Sequence, residues 1–292
     1  MTEKKKMDTR ELGLVLGKAL FDVDDLHYGL WGDDLDLNMT NLPVAQQRYS
    51  DKLLDALPAV GEEPVRVLDI GCGTGHLLKQ MLERGYAADG LIPCPYLAAD
   101  VRQRLVDIPD HGATVFDMGF ESFPAEAYRH YYDVAVFSES FQYIDMEAAF
   151  EQLWAILKPG GQVILCDFFK TAAHGDGGVG SKSFGGGHKL AKFYEQLEDG
   201  PFTIRVDEDI TEPVSRNIAL LDDILRNRIK PSTDAVRQFL RENYPLTSKV
   251  VGFLFRKRWP RIEYKYLSGH RSADVFRRYK SYRFLILEKS AA

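Results

Sequence analysis

At 292 residues and 45% apolar content, the chain can bury one large core or a core carrying an insertion. Its formal net charge of −6 excludes a general polyanion binder. Cysteines at 72, 94 and 166 have neither metal-ligand spacing nor an even disulfide framework, which points to a reducing, cytoplasmic setting and no metal.

Nothing approaches the roughly 18 consecutive apolar residues of a membrane span. The basic start MTEKKKMDTRE leads into no apolar segment, so no signal peptide is expected. Charge is uneven: residues 251–292 hold 11 Lys/Arg against 3 Asp/Glu. That basic region is either a solvated helical face or a dock for an anionic carrier or substrate.

In chain order, Leu12, Val15, Leu16, Ala19 and Leu20 give residues 9–31 a helical pattern running into FDVDDLHYGLWG at 21–32. Pro43 to Leu57 reads as a helix with Pro43 in its first turn and Ala45, Tyr49, Leu53, Leu54 and Leu57 on its inner face. Val65 to Ile70 is a short, apolar, β-branched run and reads as a buried strand. Gly71, Gly73 and Gly75 then alternate with small residues, and Leu77 to Arg84 has helical spacing.

Strand, glycine turn and helix together form the ligand-binding corner of an open α/β sheet. The G-x-G-x-G spacing is not the G-x-G-x-x-G of a dinucleotide site. Asp69, just before the turn, would repel a pyrophosphate and suits a ligand with positive charge and no phosphate. S-adenosylmethionine, with its sulfonium and ammonium, is such a ligand. A plain tight turn and a nicotinamide or flavin site are the alternatives.

The stretch Asp69-Ile70-Gly71-Cys72-Gly73-Thr74-Gly75 resembles motif I of the class I S-adenosylmethionine-dependent methyltransferases, small-molecule type. The resemblance implies cofactor contacts from Asp69, Gly71, Cys72, Gly73, Gly75 and His76. His27-Tyr28-Gly29-Leu30-Trp31 is similar to the N-terminal lid of such enzymes, which makes His27 and Tyr28 catalytic candidates; plain aromatic packing is the other reading.

Residues 86–93 should be the second strand. The family pattern places a ribose-binding acid near position 92, where this chain has Ile92; Asp89 comes three residues early and Asp100 falls on the next helix. Ala113 to Phe116 is the third strand. The segment after it resembles the family's adenine-binding stretch, which implies Asp117 and Met118 as contacts.

Tyr132 to Ser138 is the fourth strand, with Ser138 and then Glu139 at the transfer line. Gln142 stands where relatives often carry a histidine, and Gln cannot take a proton. The [DN]-P-P-[YFW] clamp is missing, which argues against a nucleic-acid substrate. Met146 to Leu157 reads as a helix stopped by Lys158-Pro159-Gly160-Gly161, with strand five at Gln162 to Phe169.

The glycine-rich stretch 170–188 reads as a lid or a disordered loop. It offers His174 and His188 as bases and fails the Walker spacing. Phe202 to Val206 and Tyr282 to Leu287 supply strands six and seven. Between them Ile218–Ile229, Thr233–Leu240 and Leu246–Phe255 have helical patterns, with Thr211 as a helix cap. This region would wall a pocket with Phe253, Phe255, Trp259, Tyr264 and Tyr266 beside Arg256, Lys257, Arg258 and Arg261.

The resemblance implies an α/β fold: a Rossmann-like seven-stranded sheet with its last strand antiparallel. Its parts would be an N-terminal helical lid at 1–64, a core at 65–206 plus 281–292, and a helical cap at 207–280. The implied activity is methyl transfer from S-adenosylmethionine to an O, N or C nucleophile of a small molecule. The alternatives are a protein of this fold that does not methylate, whether a regulatory module or a user of a modified cofactor, and a methyltransferase for a carrier-bound anionic substrate.

Overall fold

The computed structural model describes residues 24–25, 27–198, 200–256 and 259–291. The helical pattern at Leu12 to Leu20, and Lys257 and Arg258, lie outside the described residues. Seven strands form one sheet: β1 (Arg66–Ile70), β2 (Ala87–Leu91), β3 (Val115–Phe116), β4 (Tyr132–Ser138), β5 (Leu157–Lys170), β6 (Phe202–Asp209) and β7 (Lys280–Lys289). Their order is β3-β2-β1-β4-β5-β7-β6. Strands β1 to β5 pair in parallel, and β7 runs antiparallel to both its neighbours. The fold expected from the sequence is the fold observed.

The central strands are apolar on both faces because helices cover both. Val67, Val134, Val136 and Ile164 face one core with α1 (Leu42–Leu54), α2 (His76–Glu83) and α3 (Pro95–Leu105). Leu68, Ile70, Ala135, Phe137, Val163 and Leu165 face the other with α4 (Met146–Ile156) and α5 (Leu190–Glu198). This is the period-two alternation of a strand, and each large apolar side chain so buried contributes roughly 1.5–3 kcal/mol.

Three local differences from the sequence reading have physical causes. Strand β5 begins at Leu157, which already pairs with Tyr132; pairing resumes between Val134 and Gln162. Lys158 to Gly161 form a bulge in the ladder rather than a stop before it. Gly160 has φ +74°, and a Cβ on Gly161 would lie 2.9 Å from the Lys158 carbonyl oxygen.

Strand β3 is only Val115–Phe116, because the Thr114 N–H is taken by the Asp89 carboxylate at 2.7 Å. The helix after β6 starts at Thr211 with Ile210 as its N-cap residue, so Thr211 is not the cap. The Asp209 Oδ1 accepts the Thr211 N–H at 2.9 Å, while Thr211 Oγ1 accepts the Tyr282 N–H at 2.7 Å.

Between β6 and β7 the described chain is helical: α6 (Thr211–Ile224), a π-turn (Leu225–Ile229), α7 (Lys230–Asn243), α8 (Pro245–Phe255), α9 (Trp259–Ile262), a π-turn (Glu263–Leu267) and α10 (Ala273–Tyr279). Val214 and Ile218 of α6 and Phe276 of α10 are buried in the first core. Helix α7 buries nothing, and Phe239, Leu246, Phe253 and Leu254 stand in solvent. Phe253 is therefore not part of an inner pocket wall. No helix among the described residues is long and apolar enough to cross a membrane.

Candidate functional site

The carboxyl ends of β1 and β4 open into a cavity of about 770 Å³. The glycine turn forms its floor. The Gly71 and Cys72 N–H groups both donate to the Leu91 carbonyl, at 2.7 and 3.1 Å. Gly71 has φ +83°, and a Cβ there would lie 2.3 Å from the Ser140 Cβ, so only glycine fits. Ser140 in turn hydrogen-bonds the Ile70 carbonyl, fixing the β4 end against the β1 end.

Asp69 is 1% exposed, and neither carboxylate oxygen has a hydrogen-bond partner among the described residues. Burial raises its pKa to about 7; the Asp25 charge adds to the rise and His27 opposes it. A buried, unpaired carboxylate costs free energy unless something cationic meets it. That is the gap a cationic ligand on this floor would fill.

Asp25, which the sequence reading did not single out, has its partners already. Its Oδ2 lies 2.8 Å from His76 Nδ1 and its Oδ1 3.4 Å from His27 Nε2. Burial opposes its charge, but the hydrogen bonds and charges of the two histidines hold its pKa well below the usual carboxylate range. His76 is therefore a partner of Asp25 and Gln80 and does not line the cavity. Gly75 is likewise off the wall, as the αL residue that starts α2.

His27 lines the cavity, but both its ring nitrogens are engaged. Nδ1 donates to the Tyr28 carbonyl at 2.8 Å, and Nε2 faces Ser50 Oγ at 3.1 Å and Asp25. Burial disfavours its charge, yet Asp25 and Glu139 outweigh burial and raise its pKa. With Nδ1 committed to the Tyr28 carbonyl and Nε2 to Ser50 and Asp25, neither ring nitrogen is turned to the cavity as a free acceptor.

Glu139 ends β4 in the left-handed region, φ 54°, a strained setting for a residue with a side chain. Its Oε1 accepts the Tyr28 N–H at 2.9 Å and the Tyr282 hydroxyl at 2.7 Å. Burial raises its pKa, against the opposing Tyr282, His27 and Tyr28. No hydrogen bond from a described residue reaches Oε2, and the residue lines the cavity.

The segment carrying Tyr28 is stitched down from outside. Buried Asn217 of α6 accepts the Gly29 N–H and the Trp31 indole N–H, both at 3.2 Å. Leu30 N–H donates to the Ala45 carbonyl at 2.8 Å, and Thr74 Oγ1 to the Asp24 carbonyl at 2.5 Å. This end of the lid is thus a fixed wall, with Tyr28 in it.

Ser138, Cys72, Gly73 and Ile92 line the cavity with Asp69 and Gly71. Ile92 is a buried apolar contact, and Asp89 faces the other side, bound by Thr114 and Tyr132.

Four more of the residues named from sequence, besides Gly75 and His76, stand elsewhere. Asp117 is exposed and Met118 packs on the second core, because β3 ends at Phe116 and the chain turns; Gly119, Phe120 and Glu121 reach the cavity instead. His188 Nε2 lies 3.1 Å from the Phe141 carbonyl, and His174 is off the wall. No residue of 171–188 lines the cavity. That loop folds back, with the Lys170 N–H on the His188 carbonyl and Lys280 Nζ on the Gly186 carbonyl, both at 2.7 Å, so it is no lid here.

A family model described as a methyltransferase domain matches residues 44–194. An uncharacterized methyltransferase of Oceanobacillus iheyensis is 30% identical over 160 residues, 53% of this chain and 70% of that protein. A malonyl-[acyl-carrier protein] O-methyltransferase of Halorhodospira halophila is 27% identical over 135 residues, 45% of this chain and 44% of that protein, so this match spans under half of that relative's length. Among solved structures, a putative sarcosine dimethylglycine methyltransferase from Galdieria sulphuraria superposes with a TM-score of 0.71 at 16% identity, over 95% of this chain and 98% of that one.

Proposed function

This chain belongs to the methyltransferase-domain family, and we propose that its acceptor is a small molecule methylated on an oxygen, nitrogen or carbon atom. The family's methyl donor is S-adenosylmethionine. The observation that carries the fit is the buried, unpartnered Asp69 carboxylate beside a turn that only glycine can make. Asp69 would hold the ligand's cationic end, the Gly71 to Thr74 turn would pass beneath it, and Ile92 and Phe120 would line its apolar side.

When bound, S-adenosylmethionine supplies a methyl group made electrophilic by the sulfonium. The protein's task is then placement and proton removal. Glu139 takes the proton of an acceptor hydroxyl as that oxygen becomes methylated. Tyr28, held through its N–H by Glu139, presents its ring and phenol to the acceptor. Burial and the Glu139 charge keep that phenol protonated, its pKa well above the usual tyrosine range. We also infer a cytoplasmic setting, which the three free cysteines support.

Calorimetric titration with S-adenosylmethionine and with S-adenosylhomocysteine is the test. Binding of both at micromolar concentration is expected; no uptake of either at millimolar ligand overturns the reading.

A second acceptor class, an anionic carrier bearing the substrate, is favoured by the basic region at 251–292 and by the likeness to the malonyl-[acyl-carrier protein] O-methyltransferase. Its mark is turnover that falls steeply as salt rises from about 50 to 300 mM. Salt-independent turnover of a free small molecule removes it.

A further inference from the structure

Of the Lys and Arg side chains, Arg271 alone among the described residues lines the cavity. It comes from the segment that leads into α10, far in sequence from the glycine turn. Its guanidinium lies over two rings, 4.8 Å from the Phe184 centroid and 5.1 Å from the Tyr266 centroid. Phe184 is buried and meets Phe276 edge-on at 5.1 Å, and Phe276 meets Tyr28 edge-on at 6.3 Å. The cation therefore rides on an aromatic stack anchored in the core and reaching the lid.

Arg271 forms no ion pair and no side-chain hydrogen bond with a described residue. The cavity does hold carboxylates, but none of them forms an ion pair with Arg271: Asp25 meets two histidines, Glu139 Oε1 meets Tyr28 and Tyr282, and Glu121 Oε1 meets the Asp145 N–H. Asp69 is at the glycine turn, where the methyl donor's cationic end belongs. Arg271 thus lines the cavity with its guanidinium over two rings and its donors without a hydrogen-bond partner among the described residues. A guanidinium matches the two oxygens of a carboxylate or phosphate, and partial withdrawal from water strengthens the match. The aromatic platform holds the cation at the cavity wall before a ligand arrives.

We propose that Arg271 is the anchor for an anionic group, a carboxylate or phosphate, on the methyl acceptor, so that the substrates are acidic small molecules. This rests on the methyltransferase reading above. The cavity is then polarised: acids around the glycine turn meet the cationic donor, and one arginine meets the anionic acceptor. The Arg271 charge is felt at the Tyr28 phenol, where it opposes burial and Glu139. Anchor and lid tyrosine therefore face the same acceptor.

The test loads the protein with S-adenosylhomocysteine and titrates three probes of one shape: benzoate, phenyl phosphate and neutral benzamide. Binding of at least one anion at millimolar concentration or tighter is expected, with benzamide at least tenfold weaker; the two anion arms tell carboxylate from phosphate. Arg271→Met keeps the aliphatic bulk on Phe184 and should lose the anion at least tenfold while S-adenosylhomocysteine affinity stays within about threefold. Arg271→Lys should fall between.

Equal binding of benzamide, no binding of either anion, or an unchanged Arg271→Met overturns the proposal while S-adenosylhomocysteine still binds. Failure of S-adenosylhomocysteine itself overturns the methyltransferase reading instead. The same three probes titrated into the unloaded protein then decide the anchor by the same criteria.

Discussion

Asp69→Asn weakens S-adenosylmethionine binding at pH 8 by roughly 10- to 150-fold, the equivalent of the about 1.5–3 kcal/mol carried by a hydrogen bond to a charged group. The same substitution makes the ligand-free protein more stable at that pH. The two effects oppose each other because the wild-type carboxylate is buried without a partner.

The sign follows from the raised pKa, about 7 against the 3.8 of a free aspartate. Between those values the native state keeps a proton that the unfolded chain releases. The stability this proton provides is complete below about pH 4 and is lost as pH rises through about 7. Asparagine cannot ionise, so the variant matches wild type near pH 4 and exceeds it at pH 8. Ligand affinity runs the other way: wild-type affinity climbs with pH up to about 7 and then levels, while the variant's stays flat. Calorimetry from pH 5 to 9 and melting curves of the ligand-free proteins read both. A wild-type affinity that does not change with pH removes Asp69 as the ligand's counter-charge.

Glu139→Gln, assayed on a hydroxyl acceptor found by transfer of a labelled methyl group, lowers kcat by about 10²- to 10⁴-fold, the usual worth of a positioned base. S-adenosylmethionine affinity changes little, because glutamine still accepts from the Tyr28 N–H. Glu139→Ala loses the proton acceptor and also strands the Tyr28 N–H, while the Tyr282 hydroxyl keeps the Tyr49 hydroxyl as a partner. It should add a stability loss of about 1–3 kcal/mol for the buried donor left unmet. On an amine acceptor that sheds its proton to water, the glutamine variant should lose under about tenfold. Full activity of Glu139→Gln on a hydroxyl acceptor excludes the carboxylate as base and leaves it as the lid's anchor alone.

The sheet and the floor of the site were legible because their signals are local. Val65 to Ile70 followed by alternating glycines can make few other shapes, and Tyr132 to Ser138 was read with the bounds it has. What escaped was set by distance in the chain. Asp25 was in view beside His27, but nothing nearby says that it pairs with His76, 51 residues on. Arg271 looked like any other cation of a basic region until tertiary packing slid it over Phe184.

His174 and His188 were misplaced for the converse reason. A glycine-rich loop bearing histidines resembles a mobile lid, and only the strand pairing shows it turned back on Lys170 and Lys280. Asp117 is off the cavity because β3 stops at Phe116 and the chain turns, bringing Gly119 to Glu121 to the wall instead.

The position of β7 bears on how this molecule comes to exist at all. It is the last strand in chain order, yet it lies between β5 and β6, bonded to both along most of its length. As the chain leaves the ribosome, the parallel half from β1 to β5 can pair within itself, leaving the far edge of β5 open. Strand β6 has none until Lys280 to Lys289 emerge, with the helices of 211–279 made in between. For that interval β5 and β6 each show a bare edge, the kind of surface on which nascent chains pair with one another. Closing so long a loop is slow. Assembly of the sheet is then paced by its final strand, and the time before that strand docks is when the newborn chain most needs a chaperone.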